Sequence, residues 1–379
     1  MPSNKRIAFV ANTSWSIYRF RLYLIEKLLD SGFSVYILAP RDNYTSRFEN
    51  LSGLTYMELK HFRGKNISPI QDFLLHRELL RHYHNIHPSL IFHYTIKANI
   101  YGALAASRLG IPSVGVITGL GYTFSKKGTL RRIVSMLYKR ALRKSMEVWF
   151  LNEDDRDLFV TEKLVQASKA FLLPGEGVDP EVFSPAPFEL RQKDIVFLYV
   201  GRMIRNKGIP EFVQAARLLQ QQGLPIKCQL LGFFDESPAT VSREEVEDWH
   251  HRHFITYLGH TDKVADFIRQ ADCVVLPSYY REGIPLSLLE GASMCKALIA
   301  ADTSGCRTII QEGVNGYLCR EKDPADLARK MEMYYHLSAE DKKKMGMEGR
   351  KKVLENFTNQ RITRIYLEKI SLLQASPTN

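Results

Sequence analysis

Five cysteines in 379 residues leave little room for thiol chemistry. All of them (Cys228, Cys273, Cys295, Cys306 and Cys319) lie in the second half, their number is odd, and no two are spaced C-x-x-C. That argues against a disulfide framework and against paired-thiol zinc motifs, and favours a reduced, cytoplasmic setting. Long apolar runs are also missing. Ile7 to Ala11 is followed directly by Asn12 and Thr13 and reads as a first strand, not as a signal peptide. The longest uncharged stretch, 109–125, is interrupted by Pro112, Gly110, Gly115, Gly119 and Gly121, whereas a membrane-spanning helix needs about 20 mostly apolar residues. There is no Walker motif and no G-x-G-x-x-G, which weakens the usual NTPase and dinucleotide readings. Acidic residues are scarce in one half. Residues 1–144 hold 22 Lys+Arg against 7 Asp+Glu, a net +15, while the remainder holds 30 against 34, a net −4. A basic first half implies an anionic partner: a membrane surface, a nucleic acid or a phosphate-rich substrate. No aromatic–basic recognition motif accompanies the charge, so nucleic acid is set aside.

What the chain does have is alternation. Short apolar runs predict strands at Arg6–Ala11, Ser34–Ala39, Leu90–Tyr94, Ser113–Ile117, Val148–Leu151, Ile195–Val200, Lys227–Leu231, Cys273–Leu276 and Ala297–Ala301. Helical periodicity fills most gaps, as in Tyr18–Asp30, Ile209–Gln222 and Pro324–His336. Strand–helix alternation means βαβ units and parallel sheets. The series pauses in the Pro- and Gly-rich stretch 174–187 and restarts at Ile195, which sets a domain boundary near residue 188. The expectation is an α/β chain of two facing Rossmann-like domains, 1–188 and 189–357, followed by a last helical segment, 358–379.

Chemistry concentrates in two segments of the second domain. After the strand Cys273–Leu276 come Pro277, Ser278, Glu282, Gly283, Ile284 and Pro285, then Glu290 and Gly291. Glu282 would sit at the loop tip and Glu290 in the second turn of the following helix, both at the carboxyl end of a strand, where open α/β sheets bind ligands. Carboxylates there suit sugar and ribose hydroxyls, which they accept in charge-assisted hydrogen bonds. After the strand Ile195–Val200 comes Gly201-Arg202-Met203-Ile204-Arg205-Asn206-Lys207-Gly208. Arg202 and Lys207 ahead of a helix N-terminus make a phosphate site.

These residues, with Leu231-Gly232, Leu258-Gly259, Ala271-Asp272 and Gly313-Val314-Asn315-Gly316, resemble glycosyltransferase family 4, retaining nucleotide-sugar transferases of GT-B fold. The likeness covers most of the chain and implies that the last helix, 358–379, crosses back to the first domain. It implies that Glu282 contacts the donor sugar, Glu290 the nucleotide ribose, and Arg202 and Lys207 the diphosphate, with Gly201, Gly283, Ile284, Pro285 and Leu258 completing the donor site. It also implies UDP as the nucleotide and transfer on the same face of the sugar. No Asp-x-Asp stands at a strand end, so neither a metal nor another cofactor is expected; two basic side chains would oppose the phosphate charge instead.

One departure concerns the first domain. Many relatives carry His-Gly after the fourth strand, where this chain has Thr118-Gly119. Thr118 cannot act as a base near neutral pH, which puts a histidine role there in doubt; His93, at the end of the preceding strand, either positions acceptor or donor or is a satisfied structural histidine. Asn12, Ser14, Arg19, Arg21, His93, Thr118 and Gly119 are the candidates for acceptor contact. Leu130 to Lys144 is a basic amphipathic helix. Leu130, Ile133, Val134, Leu137, Tyr138, Ala141 and Leu142 form its stripe; Lys126, Lys127, Arg131, Arg132, Lys139, Arg140, Arg143 and Lys144 supply the charge. Either the stripe enters lipid or it packs on the sheet while the charges meet lipid. The likeness is strongest to bacterial members that extend polyprenyl-diphosphate sugars. It implies a hexose or N-acetylhexosamine donor, best N-acetylgalactosamine, an undecaprenyl-diphosphate-linked saccharide acceptor, and a peripheral place on the cytoplasmic face of the inner membrane. A transferase for another lipid, capsule or lipopolysaccharide acceptor is the nearest alternative, and a GT-B UDP-sugar epimerase a more distant one.

Overall fold

The computed structural model describes residues 5–62, 68–120, 124, 128–186, 194–234 and 239–375. The chain forms two compact units: Met1–Glu176 with Asn359–Asn379, and Gly177–Thr358. The boundary expected near residue 188 lies outside the described residues.

The first unit holds a seven-stranded sheet of β1 (Arg6–Val10), β2 (Ser34–Ala39), β3 (Leu54–Glu58), β4 (Leu90–Tyr94), β5 (Ser113–Ile117), β6 (Glu147–Phe150) and β7 (Ala170–Leu172). Their order is β3-β2-β1-β4-β5-β6-β7 and every pairing is parallel. β4 and β5 are buried along their whole length, as apolar strands covered by helices on both faces must be. The first helix, Ser14–Asp30, starts where Thr13 Oγ1 accepts from the Ser16 amide at 3.1 Å, a side-chain cap that satisfies one of the free N–H groups of the first turn.

The last helix, Asn359–Ala375, belongs to this unit. Its Tyr366 ring packs against Trp149, centroids 4.8 Å apart, and Phe92 at 5.3 Å, and its hydroxyl meets that of Tyr94 at 3.0 Å. Lys369 Nζ reaches Glu147 at 2.7 Å. Aromatic edge-to-face pairs of this kind add to the apolar area they bury.

The second unit holds β8 (Ile195–Val200), β9 (Ile226–Leu231), β10 (Thr256–Tyr257), β11 (Cys273–Leu276), β12 (Ala297–Ala301) and β13 (Gly316–Cys319). The order is β10-β9-β8-β11-β12-β13, again all parallel. The strand order reverses at β8, so the crevice outside the carboxyl ends of β8 and β11 is the switch point where such sheets take ligands. The nine strands read from the sequence are present to within one residue at each end. Four strands not read there, β3, β7, β10 and β13, are the outer strands of the two sheets.

Candidate active site

β8 ends at Val200 and the chain turns at Gly201. A Cβ placed on Gly232, after β9, would lie 1.7 Å from the Gly201 carbonyl oxygen, so only a glycine lets the two strand ends pass. Beneath the turn Tyr199 is fully buried and donates its hydroxyl to the Arg202 carbonyl at 2.9 Å. Burial pushes that phenol well above its ordinary range, so it stays a neutral donor. Gly208 follows at φ +78°, and a Cβ there would sit 2.1 Å from the Pro277 carbonyl oxygen. The loop after β8 is therefore pressed onto the loop after β11, and the Tyr279 amide donates across to Asn206 O at 3.0 Å.

This contact brings Lys207 to Glu282. Lys207 Nζ lies 3.2 Å from Glu282 Oε2, and Ser278 Oγ donates to Glu282 Oε1 at 3.0 Å. Both oxygens of one carboxylate are thus held, each from a different strand end. The Arg202 guanidinium stands 5.8 Å from the Tyr280 ring centroid. A third loop, after β12, closes on Gly283, where a Cβ on Gly305 would be 2.2 Å from its carbonyl oxygen. Ile284 and Gly283 are buried, and Pro285 caps the helix Leu286–Ser293. Glu290 lies in that helix, only 2% exposed. Leu258 stands at the end of the outermost strand, its amide bonded to Leu230 O at 2.9 Å. Two cations and an anchored carboxylate around one crevice can hold an anionic group beside a hydroxyl-bearing one. Ser278, Tyr199 and Tyr280 were not singled out from the sequence. Ser278, four residues before an acid at a strand end, is the one whose position signalled a role.

In the first unit the candidates separate. Asn12, Thr118 and Gly119 follow β1 and β5 and are partly accessible, as is Arg19. Ser14 is fully buried and its hydroxyl is engaged with Pro40 O at 2.9 Å, Tyr56 OH at 3.1 Å and Thr45 Oγ1 at 3.2 Å. Arg21 also points inward. It meets Glu176 at 2.5 Å and stacks on Tyr94 with its guanidinium carbon 3.6 Å from the ring centroid. Burial lifts the Glu176 carboxyl above its ordinary range against the pull of Arg21. The structure gives Arg21 to an internal ion pair instead of an acceptor diphosphate. His93 is likewise interior: Nε2 lies 2.9 Å from Tyr83 OH, and burial pushes the imidazole down to about 3. It is a neutral core side chain, the structural histidine of the two readings.

The helix Thr129–Leu142 splits the expected stripe. Tyr138, Ala141 and Leu142 are buried, with Val134 and Leu137 packed beside them on a core around Phe124, Phe150 and Phe159. Leu130, Ile133 and Met136 are exposed, Met136 to 64%. Arg132, Lys139, Arg140, Arg143 and Lys144 are exposed too, whereas Arg131 pairs with Glu162. Lys126 and Lys127 lie outside the described residues. No helix among the described residues is long and apolar enough to cross a membrane.

Two parallel-sheet Rossmann-like units are the architecture of GT-B glycosyltransferases. Residues 182–352 match the model of glycosyl transferases group 1 and residues 6–152 that of glycosyl transferase 4-like domains. The chain belongs to this glycosyltransferase family and is a sugar-transferring enzyme. It is 26% identical over 347 residues to the N,N'-diacetylbacillosaminyl-diphospho-undecaprenol alpha-1,3-N-acetylgalactosaminyltransferase of Campylobacter jejuni, covering 86% of this chain and 89% of that one. It is 26% identical over 273 residues to the UDP-Gal:alpha-D-GlcNAc-diphosphoundecaprenol alpha-1,3-galactosyltransferase of Escherichia coli, covering 68% and 69%. Among solved structures, Anabaena HepE in complex with UDP and glucose superposes with a TM-score of 0.77 at 16% identity, covering 96% of this chain and 99% of that one.

Proposed function

We propose that this enzyme moves a hexose or N-acetylhexosamine, best N-acetylgalactosamine, from a UDP-sugar to an undecaprenyl-diphosphate-linked saccharide, with retention and without a metal ion. The observation that carries the reading is the carboxylate of Glu282, held between Lys207 and Ser278 at the switch-point crevice, with the Arg202 guanidinium by the Tyr280 ring of the same loop. The activities of the two relatives, both on undecaprenyl-diphosphate sugars, support the acceptor class, and the UDP-bound neighbour supports the nucleotide.

The chemistry follows from charge. As the bond between the anomeric carbon and the phosphate oxygen breaks, the sugar becomes oxocarbenium-like and negative charge collects on the departing diphosphate. Arg202, Lys207 and the N-terminus of the helix Ile209–Gln221 oppose that charge from fixed positions. Glu282 reads the sugar hydroxyls and Glu290 the ribose. The departing phosphate takes up the acceptor proton on the face it leaves. The helix Thr129–Leu142, with its exposed apolar first turns and basic later turns, would rest the first unit on the anionic cytoplasmic face of a membrane.

The test is turnover of a UDP-sugar panel against short polyprenyl-diphosphate sugars in the presence of EDTA. UDP release that needs acceptor and survives chelation is the expected result. Strict metal dependence overturns the metal-free mechanism, and UDP-sugar conversion without acceptor favours an epimerase.

A further inference from the structure

Glu282 and Lys207 pair in this structure, yet the proposed chemistry asks Lys207 to face a diphosphate. An ammonium shared between a carboxylate and a phosphate leaves the carboxylate free to swing unless another group holds it. Ser278 is that group. It is 1% exposed, so its rotamer is fixed by packing, and it lies two residues past the end of β11. Its hydroxyl donates to Glu282 Oε1 at 3.0 Å, and its oxygen receives the Tyr280 amide at 3.3 Å. The same side chain therefore orients the acid and fixes the backbone of the residue whose ring stands by Arg202.

We infer that Ser278 is a positioning residue: it keeps the Glu282 carboxylate aimed at the donor sugar while Lys207 is drawn to the diphosphate. Buried hydroxyl–carboxylate hydrogen bonds are charge-assisted and directional, and a misplacement of about 1 Å at a reacting centre can cost on the order of a hundredfold in rate. The inference rests on the donor reading proposed above.

The experiment is a double-mutant cycle on the full chain, with Ser278→Ala, Glu282→Gln and the pair. It measures UDP release under single turnover, UDP affinity by calorimetry and the thermal midpoint. Ser278→Ala is expected to slow turnover by roughly tenfold or more, the scale of one charge-assisted hydrogen bond, with UDP affinity within about twofold of wild type because the nucleotide does not touch Glu282. In the Glu282→Gln background the same change is expected to slow turnover by no more than about twofold, since residues that act as a unit are not additive. Ser278→Thr, which keeps the hydroxyl, is expected to recover most of the rate. Multiplicative losses in the cycle, or a fall in UDP affinity and thermal midpoint that tracks the rate, overturn the positioning role and leave the donor reading standing. Wild-type enzyme that releases UDP from no UDP-sugar sinks the donor reading itself.

Discussion

At Glu282 two loops from different strand ends converge on one carboxylate, and that convergence decides what its loss should do. Glu282→Ala removes the carboxylate proposed to read the sugar and breaks its pair with Lys207; Lys207→Ala removes the cation proposed to face the diphosphate. Each is expected to lower kcat by roughly 10²–10³, the scale of losing one fixed electrostatic group, as read by UDP release in the presence of acceptor. Arg21 and Glu176 carry a different lesson. Helical period placed Arg21 at the opening of the first helix but could not say which way it faced, because its partner lies 155 residues away. Breaking a buried pair leaves one charge uncompensated, so Arg21→Met is expected to lower stability by about 3–5 kcal/mol, measured by urea unfolding at pH 7. His93 makes the fold pH-sensitive. Its imidazole titrates near 3 when folded and near 6.5 when unfolded, so the unfolded chain binds the extra proton between those values. His93 leaves stability undiminished above about pH 6.5, and its contribution is expected to be lost by up to about 1.4 kcal/mol per pH unit as the pH falls toward 3. Urea midpoints from pH 7 to pH 5 should fall less steeply in His93→Gln.

Among the elements, what could be read from the sequence depended on burial. β4, β5, β11 and β12 are buried along their whole length and spell largely apolar runs, so their limits were legible. β3, β7 and β10 sit at sheet edges, half exposed, and β10 is only two residues long. β13 opens on Gly316, where a Cβ would meet Leu298 O at 2.1 Å, and glycine is a poor strand signal. The loop motifs of the site were legible for another reason: the glycines at 208 and 232 are forced by backbone contact, so they stand out as residues. Ser278 was harder to see, since a hydroxyl gains its meaning only once Glu282 folds back over it. The helix Thr129–Leu142 shows the limit of periodicity. One apolar stripe served two purposes, and only packing separated the buried half from Leu130, Ile133 and Met136. Changing those three to Ser is expected to cut binding to phosphatidylglycerol vesicles by at least about tenfold, since each loses the burial of an apolar side chain in the interface. Turnover of a short-chain, water-soluble acceptor should be unchanged. Equal flotation of the variant and the wild type would remove this helix from the membrane contact.

For the whole molecule, the first unit is built from both ends of the chain. Deleting residues 359–379 strips the ring of Tyr366 from Trp149 and Phe92 and unpairs Glu147. The deletion is expected to lower the unfolding temperature of the first unit, or abolish its cooperative transition, while the second unit melts as before. Calorimetry with limited proteolysis separates the two outcomes, because the second unit, Gly177–Thr358, is continuous and carries its own core.

That discontinuity has a meaning for the order of synthesis. When Glu176 leaves the ribosome, the seven strands of the first sheet are complete, but the helix that covers Phe92 and Trp149 has not been made. The whole of Gly177–Thr358 must be translated first, which at ~5–20 residues per second takes roughly 10–40 s. For that interval the first unit waits with an open aromatic face, and the second unit can finish folding before the first. The first unit therefore reaches its packed state only after the helix Asn359–Ala375 has been translated, and a chain stalled short of Asn359 would be marked by the open face of Phe92 and Trp149.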